Sequence, residues 1–590
     1  MSATAFRTHH CGALTRAELG QQVRLGGWVH RRRDLGGLVF VDLRDREGLV
    51  QLSCNPAWTP GSIMQRAAAL GAETVVLATG TVQLRPEPAR DPNLSSREVE
   101  VHVTNLEIVG PAQTPAIPVA RKEKEELPAE ELRLRHRVLD LRRAELQRNI
   151  ILRHRLMQAT RRYFDRLGFL EIETPILTKP TPEGARDYLV PSRVHPREFY
   201  ALPQSPQLYK QLLMMAGFDR YVQIARCFRD EDLRADRQPE FTQIDVEASF
   251  IGIEDVLGFG EGMVSELWSE AGQPIDLPIQ RLPYREAMER YGSDKPDLRY
   301  GLEIFDATEV FRGREFGITR SAIDVGGRVR GIRVPGGAAL TRRQLDEIEA
   351  AAKTLGAAGL LRLRRSGDAL EGPAAKFLDT SAAARLSLND GDLCLLVAGA
   401  DHISNPSLDR VRQEVAHRMD LIPEAVNRFV WILDFPLFER NPSTGTLGSV
   451  NHPFTAPHPD DLLLLDSAPE RARALAYDMV LNGTELGGGS LRIGDPELQR
   501  KIFSLLGLSD EEAQHRFGFL LEGLRAGAPP HGGFAFGMDR IAMLLAGADS
   551  LRDVIAFPKT TAARALFEGA PTPVEPDDLR DLHLEALREK

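Results

Sequence analysis

The chain has 590 residues, 42% hydrophobic and 27% charged, with a formal net charge of −10 at pH 7. That length predicts roughly three to five domains rather than one core, and the composition excludes a disordered polymer. No apolar run approaches membrane-spanning length, no signal-peptide core opens the chain, and the four cysteines (Cys11, Cys54, Cys227, Cys394) lie far apart without CxxC spacing. A cytoplasmic protein of a reducing compartment, without structural zinc or a membrane partner, is therefore expected. The negative net charge does not exclude nucleic acid, because phosphate contacts depend on local patches.

In chain order, VRLGGWV, LVFVDLRD, LVQLS, TVVLATGTVQL and VEVHVTNLEIV alternate apolar and polar residues, with turns at Gly36-Gly37 and Glu47-Gly48. They predict a small five-stranded barrel of OB type ending near Val109. Its His30-Arg31-Arg32-Arg33 run, with Phe40 and Gln51, combines cations, an aromatic ring and an amide, the mixture single-stranded RNA needs. A solvated basic turn with Phe40 in the core is the other reading of the same residues. Residues 110–148, with PAQTPAIPV, KEKEE and ELRLRHRVLDLRR, read as a hinge with exposed charges.

A helix is expected from about Asn149, with Leu152, Leu156, Tyr163 and Leu167 as its apolar stripe and Gly168 closing it. SPQLYKQLLMMAG has helix grammar, with Ser205 as N-cap, Pro206 at the first position and Gly217 beyond the end. Leu208, Leu212 and Met215 would face the core, and Gln207 and Lys210 would share another face. The segment 221–250 predicts an antiparallel hairpin. Thr242, Ile244, Val246, Ala248 and Phe250 lie on one side of its second strand, and Phe241, Gln243, Asp245, Glu247 and Ser249 on the other. Sheets of this kind often have one face in water, but Asp245, Glu247 and Arg229 look more like a pocket floor. The tip sets Arg229, Arg234 and Arg237 among Asp230, Glu231, Asp232 and Asp236, a density suited to gripping polyanions. Residues 303–421 read as a separate α/β insert with a helix at 341–355, WILDFPL resumes the main sheet, and 560–590 reads as a surface extension. Neither GxxxxGK[ST] nor a GxGxxG after a strand is present, so P-loop and Rossmann nucleotide binding are unsupported.

Arg229-Asp230-Glu231, the long loop and Phe241 resemble motif 2 of the class II aminoacyl-tRNA synthetases. LEIETPILTKPTPEGARDYLV, with Pro175 as the motif proline, resembles motif 1 and its sequel, and GGFAFGMDRIAMLLAG, with Arg540, resembles motif 3. In finer detail the chain resembles the bacterial-type aspartyl-tRNA synthetase family (subclass IIb) over nearly all its length, and the insert is the feature that separates this type from archaeal and eukaryotic forms. The resemblance implies an α+β multidomain fold: an OB-fold anticodon-binding barrel (1–109), a hinge that touches the tRNA stem (110–148), an antiparallel-sheet catalytic domain in two parts (149–302 and 422–559), the insertion domain (303–421) and the extension (560–590). It implies an ATP- and Mg²⁺-dependent ligase that converts L-aspartate to aspartyl-adenylate and pyrophosphate, then passes aspartate to the 3′-terminal ribose of tRNA(Asp). Motif 1 implies a homodimer. Rival readings are an enzyme that also charges tRNA(Asn), an asparaginyl or lysyl sibling, and an inactive tRNA-binding paralogue. TPEGARD, QLYK and the insert argue against the siblings, and Arg229, Glu485 and Arg540 against the paralogue.

Residue by residue, the resemblance assigns Arg229, Arg540 and Glu485 as catalytic. Arg229 would bind the α-phosphate, and Phe241 and Arg540 would flank the adenine. Asp230, Glu231, Gln238, Gly537, Met538 and Asp539 would complete the nucleotide contacts, and Asp478 with Glu485 would hold Mg²⁺; ordinary surface acids are the alternative for that pair. Arg492 and Lys210 would clamp the substrate's side-chain carboxylate with Gln207 and Ser205 nearby, and Glu183 and Asp245 would meet its ammonium. Asparagine would then leave two buried cations unpaired. Asn451 stands where the family has the first of two histidines, so it brings no titratable proton. Arg31, Arg33, Leu35, Phe40 and Gln51 would meet the anticodon, Leu35 resembling the type strict for tRNA(Asp).

Overall fold

The computed structural model describes residues 3–86, 98–121, 125–180, 185–234, 236–379, 381–441 and 443–585. Alternation along the N-terminal strands closes a barrel: β1 (Gln22–Asp34), β2 (Val39–Asp45), β3 (Gly48–Cys54), helix α1 (Gly61–Ala68), β4 (Val75–Leu84) and β5 (Val99–Gly110), in the order β1-β2-β3-β5-β4. Val23, Leu25, Val41, Leu43, Val50, Leu52, Val101 and Val103 fill its interior, as inward-pointing residues of a small barrel do. Val39 and Val41 belong to that core, whereas Phe40 between them is half-buried and outside it. The period of two thus removes the reading of Phe40 as a core residue.

The basic segment ELRLRHRVLDLRR is helical, carrying α2 (Glu130–Arg135) and α3 (Arg137–Asp140), and α4 (Ala144–Arg166) begins ahead of Asn149. Leu146, Leu156, Ala159, Thr160 and Phe164 are its buried positions, with Leu152, Tyr163 and Leu167 half-buried on the same stripe. The basic run is not simply exposed. Arg137 is 1% exposed, pairs with Asp140 at 2.7 Å, and donates to the carbonyl oxygens of Arg552 (2.6 Å), Ile555 (2.8 Å) and Ala556 (2.8 Å). A planar fork with five donors can satisfy several carbonyls at once, which a lysine cannot.

The second part of the chain contains β6 (Leu170–Glu171), β7 (Leu189–Pro191), β8 (Phe199–Ala201), α5 (Gln207–Met215), β9 (Arg220–Phe228), β10 (Glu240–Ser249), α6 (Ile253–Glu270), β11 (Gln280–Pro283) and α7 (Tyr284–Tyr291). The insert follows: β12 (Ile304–Asp306), α8 (Thr308–Phe311), α9 (Gly317–Asp324), β13 (Arg328–Val334), α10 (Arg342–Lys353), β14 (Leu361–Ser366), β15 (Ala369–Glu371), α11 (Ala382–Arg385), β16 (Leu393–Gly399) and α12 (Asp401–Arg418). Its sheet, ordered β12-β13-β16-β14-β15, is antiparallel throughout, and the expected helix is α10, capped by Thr341 with Gln344 reaching back. The chain continues with β17 (Phe429–Leu433), β18 (Phe438–Arg440), β19 (Leu447–Ser449), α13 (Leu464–Ser467), β20 (Ala476–Leu481), β21 (Thr484–Leu491), α14 (Pro496–Leu505), α15 (Asp510–Arg525), β22 (His531–Gly537) and α16 (Met538–Ala546).

An eight-stranded sheet, β11-β17-β20-β21-β22-β10-β9-β6, assembles these pieces, with only the two edge pairs parallel. The expected hairpin is β9–β10, in register from Glu240↔Phe228 to Ala248↔Arg220. Asp245 and Glu247 are as buried as the apolar side, at 1% and 0% exposed, so the polar face is covered and not solvated. Phe250 does not continue the apolar row: it lies past the strand with φ +56° and is 74% exposed. Ser205 Oγ accepts from the Gln207 N–H at 3.3 Å, although α5 opens one residue later than expected, with Pro206 at its N-cap.

The residues form two compact units. One comprises Met1–His154, Asp232–Gln238 and Ala546–Pro576; the other comprises Arg155–Glu231, Pro239–Leu545 and the chain from Asp577. Residues 560–576 fall in the barrel's unit. Replacing Arg137 by alanine is expected to leave three carbonyl oxygens without their donor and to lower stability by about 3 kcal/mol, read as an earlier midpoint in urea unfolding of the full chain.

Candidate active site

Strand alternation puts Asp245 and Glu247 on one side of β10, and α5 lays Lys210 over them. Lys210 Nζ donates to Asp245 Oδ1 at 2.7 Å and lies 3.4 Å from Glu247 Oε2, and the backbone oxygens of Val246 and Phe534 lie at 3.3 and 3.4 Å. From just beyond β21, Arg492 forks onto Glu247 (Nε to Oε1 2.8 Å, Nη2 to Oε2 3.0 Å) and sends Nη1 to Ser490 Oγ at 2.7 Å and to His452 Nε2. Gly533 is required here, since a Cβ would stand 2.3 Å from Glu247 Oε2. Burial alone would raise Glu247, but Arg492 and Lys210 outweigh it and hold this carboxyl below its usual range. Asp245 goes the other way, raised by burial against Lys210. Burial, then Arg492 and Lys210, keep His452 well below 6.5 and hence neutral.

The quartet changes the expected substrate clamp. Arg492 does not present a bidentate fork to a ligand, because Glu247 occupies it; Nη1 is the edge left facing Ser490 and His452. Two cations already face two anions, so an asparagine side chain would not strand unpaired charge. Several buried polar atoms nonetheless have no hydrogen-bond partner among the described residues: Asp245 Oδ2, Gln207 Nε2, Asn451 Oδ1 and Arg229 Nε. Buried polar atoms are nearly always bonded, so these two acceptors and two donors are open to a polar ligand. Glu183 lies outside the described residues.

The nucleotide residues divide. Arg229, just past β9, lies 5.1 Å over the Phe241 ring, and Arg540, in the first turn of α16, donates to the Glu485 carbonyl oxygen at 2.6 Å. Asp230 is exposed and its N–H bonds the Arg186 oxygen at 3.1 Å, Glu231 is half-buried, and Gly537 ends β22 at the start of α16. Three of the expected nucleotide residues are engaged within the fold. Met538 is fully buried, and Asp539, 3% exposed, accepts from the Thr242 N–H at 2.7 Å. Gln238 falls in the barrel's unit, where its amide is engaged by the Lys559 N–H (2.8 Å) and oxygen (3.0 Å).

Asp478 and Glu485 are brought together by a tight hairpin and not by a helix. Asn482 and Gly483, with φ +51° and +84°, make the β20–β21 turn, the Asn-Gly pair such turns favour, and a register shift at Met479/Val480 re-aims the strand. Gly488 lies opposite Asp478, where a Cβ would fall 1.7 Å from its Oδ1. Lys295 Nζ pairs with Glu485 Oε2 at 2.6 Å. Burial, then Glu485 and Asp294, push Asp478 well above its usual range, against Lys295.

On the barrel, Arg31 and Leu35 are exposed, Leu35 at 65%. Gln51 is 4% exposed, its oxygen accepts from Arg33 (3.0 Å) and Arg85 (3.1 Å), and its amide donates to Glu100 (2.8 Å). Arg33 also bonds Asp42 at 3.1 Å. The sequence assigns no role to Ser490, His452 or Lys295; it places Glu247 in the pocket floor, from its position two residues after Asp245.

Residues 129–561 match the family model for class II tRNA synthetases (D, K and N), and residues 23–109 match an OB-fold nucleic-acid-binding domain. The chain is 48% identical over 583 residues, 98% of each protein, to the aspartate–tRNA(Asp/Asn) ligase of Caldanaerobacter subterraneus subsp. tengcongensis. It is 48% identical over 588 residues, 99% of each, to the aspartate–tRNA ligase of Bacillus licheniformis. Asparaginyl-tRNA synthetase from Pyrococcus horikoshii complexed with asparaginyl-adenylate superposes with a TM-score of 0.59 at 20% identity, covering 94% of this chain and 98% of that one, a likeness of fold.

The buried histidines predict a pH dependence. His452 and His531 are both depressed from 6.5, each chiefly by burial, so the unfolded chain binds these protons more readily than the fold. Their neutral-state stability is complete above 6.5 and is lost as pH falls below it toward the folded values. Tm is expected to drop between about pH 6.5 and about pH 5, less steeply in His452→Gln.

Proposed function

The chain belongs to the class II tRNA synthetases of the D, K and N type, and from that membership we propose how it works as an aspartate–tRNA ligase. The carrying observation is the 48% identity along 98% of the chain with ligases of that name; the site geometry supplies the mechanism. The substrate ammonium binds Asp245 Oδ2 and its side-chain carboxylate meets Lys210 and the Nη1 edge of Arg492. The α-carboxylate oxygen then attacks the α-phosphorus of ATP in line. A bond forms from carboxylate oxygen to phosphorus, the bond to the bridging oxygen breaks, and pyrophosphate leaves. Arg229 faces the charge that grows on the α-phosphate oxygens, and Phe241 with Arg540 holds the adenine. In the second step the 3′-terminal ribose hydroxyl of tRNA attacks the aspartyl carbonyl, and AMP departs.

Selectivity against asparagine follows from donors, not from stranded cations. Substrate binding trades the longer contacts of Lys210 to the Val246 and Phe534 oxygens (3.3 and 3.4 Å) and the Arg492 Nη1 contact to His452 for the substrate side chain. Aspartate offers two acceptors there, whereas the amide NH₂ of asparagine would set donor against donor, an arrangement that strands buried groups. Asp478 and Glu485 suit Mg²⁺, which takes one or two carboxylates plus phosphate oxygens, and the ion would supply neutralising charge for the phosphates.

Leu170, Ile176 and Leu177, around the motif proline Pro175, are 49%, 41% and 52% exposed, an apolar surface that fits a second copy of the chain. No described helix is long and apolar enough to cross a membrane, and the cysteines are buried and free, which fits the reducing cytoplasm. The barrel offers Arg31, Phe40 and Leu35 to the anticodon, and Gln51 acts by holding Arg33. Relatives named for both tRNA(Asp) and tRNA(Asn) favour a second reading, broader charging, which aminoacylation of both transcripts decides.

Aspartate-dependent ATP–pyrophosphate exchange tests the reaction. Arg229→Ala and Arg492→Leu are each expected to reduce kcat/KM by about a hundredfold or more; exchange driven equally by asparagine would overturn the substrate. Phe40→Ala is expected to weaken tRNA binding by about 1–3 kcal/mol while leaving that exchange intact, since pyrophosphate exchange does not use the barrel.

A further inference from the structure

The insert has no catalytic constellation of its own, yet one of its buried arginines grips the loop that delivers Lys295. Arg412 of α12 is fully buried. Its Nε donates to the Leu302 oxygen at 2.9 Å, and its other nitrogens reach the oxygens of Asp297 (3.2 Å), Gly301 (3.4 Å) and Tyr291 (3.5 Å). The guanidinium also lies 4.9 Å from the Tyr291 ring and 5.3 Å from the Tyr300 ring. Every one of these contacts falls on or beside loop 292–302. A second buried arginine, Arg330 of β13, donates to the Glu289 oxygen at 2.6 Å near the end of α7. Gly292 allows the close approach: with φ +74°, a Cβ there would stand 2.4 Å from the Asn405 oxygen of α12. On its far side the loop packs against the β20–β21 turn, where a Cβ on Gly483 would meet Asp297 Cβ at 3.4 Å and the Lys295 oxygen at 3.8 Å. From this loop Lys295 extends to Glu485 at 2.6 Å.

We propose that Arg412 is a positioning residue through which segment 303–418 holds loop 292–302, so that Lys295 sits on the carboxylate Glu485 as a resident cation that a divalent ion must displace. The proposal rests on the metal assignment made above for Asp478 and Glu485. An ammonium bonded to one member of the acid pair keeps the two carboxylates together without a metal. It also lowers the pair's attraction for a divalent ion, since the incoming charge meets a cation already in place. An exposed charge would be too mobile for this; Arg412, locked by carbonyls on several residues, fixes the loop's path.

The test uses the full chain without nucleotide and Mn²⁺ as the probe, its free fraction read by electron paramagnetic resonance. Lys295→Met is expected to bind Mn²⁺ about fivefold more tightly, the size a partly exposed ion pair supports. Arg412→Lys keeps the charge but cannot span the carbonyls; it should move Mn²⁺ affinity in the same direction, with no further gain in the double variant. A merely structural Arg412 would lower Tm and leave Mn²⁺ affinity unchanged, which overturns the positioning role; unchanged or weaker binding in Lys295→Met overturns the resident cation. Lys295 is 43% exposed at its side chain, so its variant carries the test even if Arg412→Lys does not fold. Glu485→Gln must abolish the Lys295→Met gain; if Mn²⁺ binding ignores Glu485, the metal assignment fails instead, and pyrophosphate exchange by the parent chain judges the ligase reading separately.

Discussion

Four charges shut inside the eight-stranded sheet's unit govern the reaction centre. Lys210 and Arg492 are anchored on Asp245 and Glu247, all of them nearly or wholly buried. Charges removed from water are tolerated only when paired and well bonded, so each member constrains the others. Lys210 ties α5 to β10, Arg492 ties the end of β21 to β10, and carbonyls of Val246 and Phe534 take up remaining ammonium protons. A rigid floor results, with its charge already balanced. Such a floor carries no excess positive charge, so under the proposed function it would tell side chains apart by which atoms donate and which accept.

Two acid pairs of the same sheet have opposite characters for physical reasons. Asp245 and Glu247 alternate along one strand, each with its own cation, and serve as fixed counter-charges. Asp478 and Glu485 converge across a hairpin turn and share one partly exposed lysine. The second pair has less positive charge beside it, and Asp478 is pushed up first by burial and then by Glu485 and Asp294.

In the barrel's unit, polar residues do structural work where a binding role is the natural expectation. Gln51 joins Arg33, Arg85 and Glu100 in one network, and Arg137 is consumed by backbone oxygens. Burial converts a side chain's recognition capacity into internal hydrogen bonds, leaving Phe40, Arg31 and Leu35 as the outward groups.

Local pattern determined a good deal. The period of two in β1–β5 and β9–β10, the Asn482-Gly483 turn, the Ser205 signal ahead of α5 and the Thr341 cap of α10 all depend on neighbours within a few residues, and all are legible in the chain. Motif order likewise pointed to the family and to Arg229, Phe241 and Arg540. Tertiary structure alone decided which charges are already partnered: that Glu247 takes the fork of Arg492, that Asp539 bonds Thr242, that Lys295 reaches Glu485 and that Arg412 holds its loop. These partners stand 245, 297, 190 and 110 positions apart or more exactly as the bonded pairs fall. Hydrogen bonding at that separation depends on which surfaces the packed sheet brings together, and no local periodicity encodes it.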